Sequence, residues 1–182
     1  MGKKRKPKAE YTISGCELRN YRARVEAGIN YEVRDPHLYR DRAKVFKFHS
    51  SLELEAVYVY PDDRVGQPCT LTIHGKEGRY EDFNQTLSDC QVRDDKGGLK
   101  FRKIRGEFKP EYDVPHGIGL LERQRGTQAW SGWAWVSPQT VTDMLTRLPS
   151  VRPLYVGLHE VKIERTRWII TVSLQTTNPA DE

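Results

Sequence analysis

Trp130, Trp133 and Trp135 follow two guanidinium groups, Arg123 and Arg125, within a short stretch of chain. Indole faces beside guanidinium groups can stack nucleobases or sugar rings, worth about 1–3 kcal/mol per stacked base. Trp133 and Trp135 are two residues apart, so a strand places them on one face, as a binding platform requires. The same face could belong to the core. Because Trp is highly buried on average, we assign the pair to the core and keep stacking as the rival.

Cationic side chains form two further candidates. Lys3, Lys4, Arg5, Lys6 and Lys8 make a basic arm that would attract phosphate backbones through counterion release, without sequence preference. A lysine-rich terminus that only aids solubility accounts for it equally. Lys100, Arg102, Lys103, Arg105 and Lys109 interleave with Leu99, Phe101, Ile104 and Phe108, a pattern suited to contacting nucleic acid. We favour a defended edge strand, since Lys and Arg discourage edge pairing.

Catalytic chemistry finds little support. Asp94 and Asp95 precede Glu107-Phe108-Lys109, and Glu160-Val161-Lys162 sits on a strand. Metal-dependent nucleases set carboxylates beside a lysine, but that triplet is common in a chain with 30% charged residues, and surface ion pairs explain it. His37, His49, His74, His116 and His159 show no paired ligand spacing, so no metal is expected. His116-Gly117-Ile118-Gly119 lacks the strand–loop–helix setting of a phosphate-binding loop and reads as a turn. Cys16, Cys69 and Cys90 are odd in number and widely spaced, consistent with reduced thiols. No catalytic residue and no cofactor is assigned.

Alternation of apolar and polar residues dominates the elements that would position these groups. Ile29, Tyr31 and Val33 alternate with Asn30, Glu32 and Arg34 before a turn at Asp35-Pro36. Val45–Tyr60 is strand-like, with a turn or bulge expected at Ser50-Ser51 and at Ala56, and it pairs as a hairpin with Cys69–His74. Short strands are expected within Arg79–Val92, then a turn at Asp94–Gly98, a basic strand Leu99–Phe108 and a loop Pro110–Gly119. Near the C-terminus, Trp168, Ile170, Val172 and Leu174 should share one face of a strand. One helix is specified at 138–148: Ser137 caps it, Pro138 suits its first position, and Val141, Met144, Leu145 and Leu148 form one apolar stripe.

The expected architecture is mainly β, an antiparallel sandwich or curled sheet with that one packing helix. Residues 1–10 form a disordered basic arm, 11–175 a single β-rich domain and 176–182 a frayed polar tail. Of the 30 basic residues five lie in the arm, which leaves 25 basic against 25 acidic in a formally neutral body. No run is long and apolar enough to span a bilayer, and no secretory leader follows Met1, which points to the cytoplasm, or the nucleus in a eukaryote. The function expected is that of a non-catalytic binding or assembly protein. A protein partner or a nucleoprotein complex would be engaged, nucleic acid through the arm, and self-association is open. The alternative is a metal-dependent nuclease or a carbohydrate-binding protein using the tryptophan cluster.

Overall fold

The computed structural model describes residues 9–29, 45–76, 86–149 and 153–181, so the basic arm lies outside the described residues. The described residues divide into two compact units, one within 1–77 and 117–182 and the other within 78–116.

The first unit is a β-barrel. Its strands are β1 (Glu10–Ile29), β2 (Phe46–Tyr60) and β3 (Pro68–Lys76), then, beyond the second unit, β6 (Gly119–Arg123), β7 (Trp130–Val136), β8 (Tyr155–Ile163) and β9 (Thr166–Gln175). Around the ring the order is β1-β2-β3-β7-β6-β9-β8, and β8 returns to β1 to close it. The expected sandwich or open curled sheet is therefore corrected to a closed barrel of seven strands. Closure follows from β1, which pairs along one edge with β2 and along the other with β8 from Glu10 to Glu17. Alternation puts one face of every strand inward in a sandwich and in a barrel alike, so periodicity could not separate them. One pair, β3 with β7, is parallel, made possible by the long connection through the second unit and β6.

The interior is apolar. Leu52, Leu54, Leu71, Ile73, Leu121, Ala134, Leu158 and Ile169 are each at most 2% exposed. In β2 the inward row runs unbroken through Leu52, Leu54, Ala56 and Tyr58, with no break at Ser50-Ser51 or Ala56. The small residues are accommodated by their surroundings. Ser50 donates through Oγ to the Gly75 carbonyl at 3.4 Å, and Ala56 lies opposite Cys69. Where β1 meets β2 the register shifts between Gly15 and Cys16 and between Leu18 and Asn20, the second directly opposite Ala56 and Glu55, so the irregularity expected at Ala56 is present with its extra residue, Arg19, on β1. A third shift falls where β9 carries Ile170 as an extra residue opposite His159/Glu160. That bulge changes the phase of β9: Ile169 is buried and Ile170 is exposed, rather than Ile170 joining Val172 and Leu174 inside.

Helix α1 (Pro138–Arg147) forms where expected. The Ser137 Oγ accepts from the Thr140 N–H at 3.1 Å, and Val141, Met144 and Leu148 are buried. It follows β7 directly and packs on β2 and β3. Gly75 lets it approach, since a Cβ there would sit 2.9 Å from Val141 and 3.0 Å from Pro138. At the C-terminus Pro179–Asp181 form a 3-10 turn, with Pro179 against Gly15.

In the second unit, β4 (Phe101–Ile104) and β5 (Glu107–Pro110) form a hairpin where one basic strand was expected. Arg105 and Gly106 both take positive φ, 52° and 90°, a two-residue turn whose twist matches the strands it joins. Among the described residues no helix is long and apolar enough to cross a membrane.

Candidate functional site

Three places in the barrel carry chemistry, and each is set up by strand register. The first is internal. The loop between β2 and β3 turns back on itself through Arg64 N–H to Pro61 carbonyl and Gly66 N–H to Tyr58 carbonyl bonds, both 2.9 Å. This brings Arg64 into the end of the barrel opposite α1, where its Nη1 donates to both Glu160 oxygens at 2.9 and 3.1 Å. Arg167 donates to the same carboxylate at 2.9 Å, and Ser14 Oγ donates to it as well. The Trp130 ring lies 4.3 Å from the Arg64 guanidinium carbon, and its indole N–H donates to Gln67 at 2.9 Å. Burial pulls the Arg64 pKa down, but the Glu160 hydrogen bond and charge more than offset this and hold it up.

Beside this cluster lie Tyr58, Cys16 and Cys69. Burial and the neighbouring thiols push the Tyr58 phenol far up. The hydrogen bond to Cys69, with burial, pushes the Cys16 thiol up, whereas Cys69 is drawn down by that same bond. All three are buried at 3% exposure or less. The Glu160 carboxylate, shared by two guanidinium groups and a hydroxyl, has both oxygens engaged, which compensates a charge buried at this end of the barrel. Glu160 is thus an internal ion-pair member rather than a metal ligand, and Lys162 pairs with Glu10 at 3.5 Å. Asp94 accepts the N–H groups of Lys96 and Gly98 within its own turn. Among the described residues no cluster of three His, Cys, Asp or Glu could hold a metal.

The second place is the outer face of β3, β7 and β6. Here the expectation of core tryptophans is corrected. Ala134 and Val136 point inward, while Trp133 stands outside at 37% exposure and Trp135 is half-buried on the same face. The inward row carries the small residues Gly132 and Ala134 because the interior is filled there: a Cβ on Gly132 would lie 2.9 Å from Leu121 and 3.3 Å from Leu71. A row of rings crosses three strands: His49 to His74 at 5.7 Å, His74 to Trp135 at 4.9 Å, Trp135 to Trp133 at 6.0 Å. Next to Trp133 is a groove of about 330 Å³, lined by Thr72, His74, Leu120, Glu122, Ser131 and Gly132. Trp130 belongs to the internal cluster instead. Arg123 and Arg125, the guanidinium groups of the rival stacking reading, are exposed and are not among the residues lining the groove.

The third place went unnoticed in the sequence. Past the barrel, β1 and β2 continue as a two-stranded ribbon, with Val25, Ala27 and Ile29 registered to Ser50, Phe48 and Phe46. These positions prolong the inward rows of Tyr21/Leu54 and Ala23/Leu52, yet Val25, Ile29, Phe46 and Phe48 are 72%, 60%, 59% and 46% exposed. On its other side β8 leaves β1 at Glu17, and Leu18 N–H makes a last bond to the Leu154 carbonyl. Among the described residues, Asn20–Ile29 pair with β2 alone, leaving one edge open.

Of the basic candidates, Lys100, Arg102 and Arg105 are exposed in the second unit, where Lys100 lies 3.6 Å from Glu111. Lys3, Lys4, Arg5, Lys6 and Lys8 are outside the described residues. The internal cluster had a legible signal: Leu154, Val156, Leu158 and Glu160 share one phase, and a carboxylate on an inward row demands a cation. No protein family, curated protein or solved structure matches this chain.

Proposed function

We propose that this is a non-catalytic assembly protein that works through the projecting β1–β2 ribbon, and that the partner received there is a second copy of the same chain. The observation that carries this is the edge Asn20–Ile29, open among the described residues, beside a solvent-facing apolar row. A two-stranded ribbon is marginally stable alone, and an open edge is a template for strand addition. The edge is self-complementary. In the antiparallel register that sets Val25 against Val25, Tyr21 faces Ile29 and Ala23 faces Ala27 on the apolar side. On the polar side Arg24 faces Glu26 twice, once in each direction. Within one chain these two side chains already contact each other, so both present their charge on the same face.

Light scattering on the full chain tests the proposal. The wild type should show a dimer mass that dissociates on dilution. Arg24→Glu or Glu26→Arg alone should weaken the dimer about tenfold, as like charges come to lie opposite each other. The double exchange Arg24→Glu/Glu26→Arg should restore it. A monomeric wild type at high concentration, or an exchange that restores nothing, removes the second copy as partner.

A further inference from the structure

We infer that the groove beside Trp133 is a binding site for an uncharged, polyhydroxylated ring, a sugar residue. Three observations converge on this class. The first is an exposed indole held in place. Trp133 meets Trp135 edge to face at 6.0 Å and 71°, and Trp135 rests in turn on His74. A ring braced in this way offers its flat face without the entropy cost of ordering a loose side chain. The C–H face of a pyranose suits such a surface.

The second is the polar lining. Register places Thr72 beside Trp133 on β3, and Ser131 opposite Glu122 between β7 and β6. Two hydroxyls that donate or accept, one acceptor-only carboxylate and an imidazole form a mixed set suited to several vicinal hydroxyl groups. The volume of about 330 Å³ falls at the small end of ligand pockets, the scale of a sugar unit rather than a folded partner.

The third is charge. Glu122 is the one carboxylate among the lining residues, and no lysine or arginine accompanies it there. A phosphate placed on Trp133 would face that carboxylate without a compensating cation, which disfavours a nucleic-acid strand. The site also lies on a different strand set from the ribbon edge, so the two proposals stand or fall separately.

The test is calorimetric titration of the full chain with hexasaccharides of α-1,4-glucose, β-1,4-glucose and N-acetylglucosamine, and with an oligothymidylate. At least one hexasaccharide should bind, and Trp133→Ala should weaken it at least tenfold with the circular dichroism spectrum unchanged. Glu122→Lys provides a second variant that leaves the ring row intact. It should also abolish sugar binding, and if the groove instead serves nucleic acid it should tighten the oligothymidylate. Failure of all three sugars to bind, or binding insensitive to Trp133→Ala, overturns the inference. Trp133-dependent binding of oligothymidylate that weakens with salt overturns the uncharged-ligand assignment.

Discussion

The Arg64–Glu160–Arg167 cluster shows how a single charged position sets the local architecture. Two guanidinium groups share one carboxylate whose side chain is fully buried. Removing one partner of such a set leaves the remaining charges under-compensated in a low-dielectric interior. Arg64→Ala should therefore lower unfolding free energy by about 3 kcal/mol, moderated because Arg167 stays in place. Chemical denaturation would measure this, and a change below about 1 kcal/mol would contradict the role given to Arg64. Tyr58 makes a pH prediction. Burial raises its pKa above that of the unfolded chain, so the native state keeps the proton after the unfolded state has lost it. Stability is then intact below about pH 10, the ordinary tyrosine value, and declines above it by up to about 1.4 kcal/mol per pH unit. Unfolding curves between pH 9 and 11 should show that decline, and Tyr58→Phe should make it shallower. Identical slopes for the two proteins would refute the assignment.

Among the elements, α1 and the ribbon behave in opposite ways. Helix α1 is specified locally by Ser137, Pro138 and its apolar stripe, and it lies where those residues say. Its seat is not local. Gly75, on β3, leaves the gap into which Val141 and Pro138 fit, and any Cβ must displace them or the Ser50 hydroxyl. Gly75→Ala should cost about 1–3 kcal/mol through overpacking, with amide protection in α1 lost first. Unchanged exchange in α1 would show that the helix does not depend on that approach. The ribbon, by contrast, has the same apolar alternation as the barrel strands, and the bulge at Arg19 that coincides with the departure of β8 is visible only in the pairing register. The exposed face at Val25, Ile29, Phe46 and Phe48 appears only once the partners of each strand are known. The tryptophans follow the same logic: spacing put Trp133 and Trp135 on one face, but the choice of face was made by Gly132 and Ala134 against Leu71, Leu121 and the interior.

For the molecule as a whole, charge and topology divide the account. The net charge of +5 resides in the first eight residues, and the remainder is balanced. Balance in the sequence is realised locally in the structure: Arg22 lies 3.1 Å from Glu55 and 3.7 Å from Glu53 across β1 and β2, and Lys109 lies 3.3 Å from Glu107. Such exposed pairs add little stability. Assembly through the ribbon would join two neutral bodies, so its affinity should rest on apolar contact and the paired Arg24 and Glu26. The arm, carrying the excess charge, would add attraction to an anionic partner that fades with salt.

The sequence by itself determined the strand-rich character, the helix at Pro138–Arg147 with its cap and stripe, the balanced charge of residues 9–182 and the shared face of Trp133 and Trp135. All of these are set by neighbours within a few positions, through the two-residue period of a strand or the 3.6-residue period of a helix. Only the tertiary structure decided that the sheet closes, that Glu160 meets Arg64 from a distant loop, that the tryptophan pair faces water and that β1 outruns β8. Each of those depends on which strands lie side by side, and a side-chain period specifies the faces of a strand while leaving its neighbours unstated.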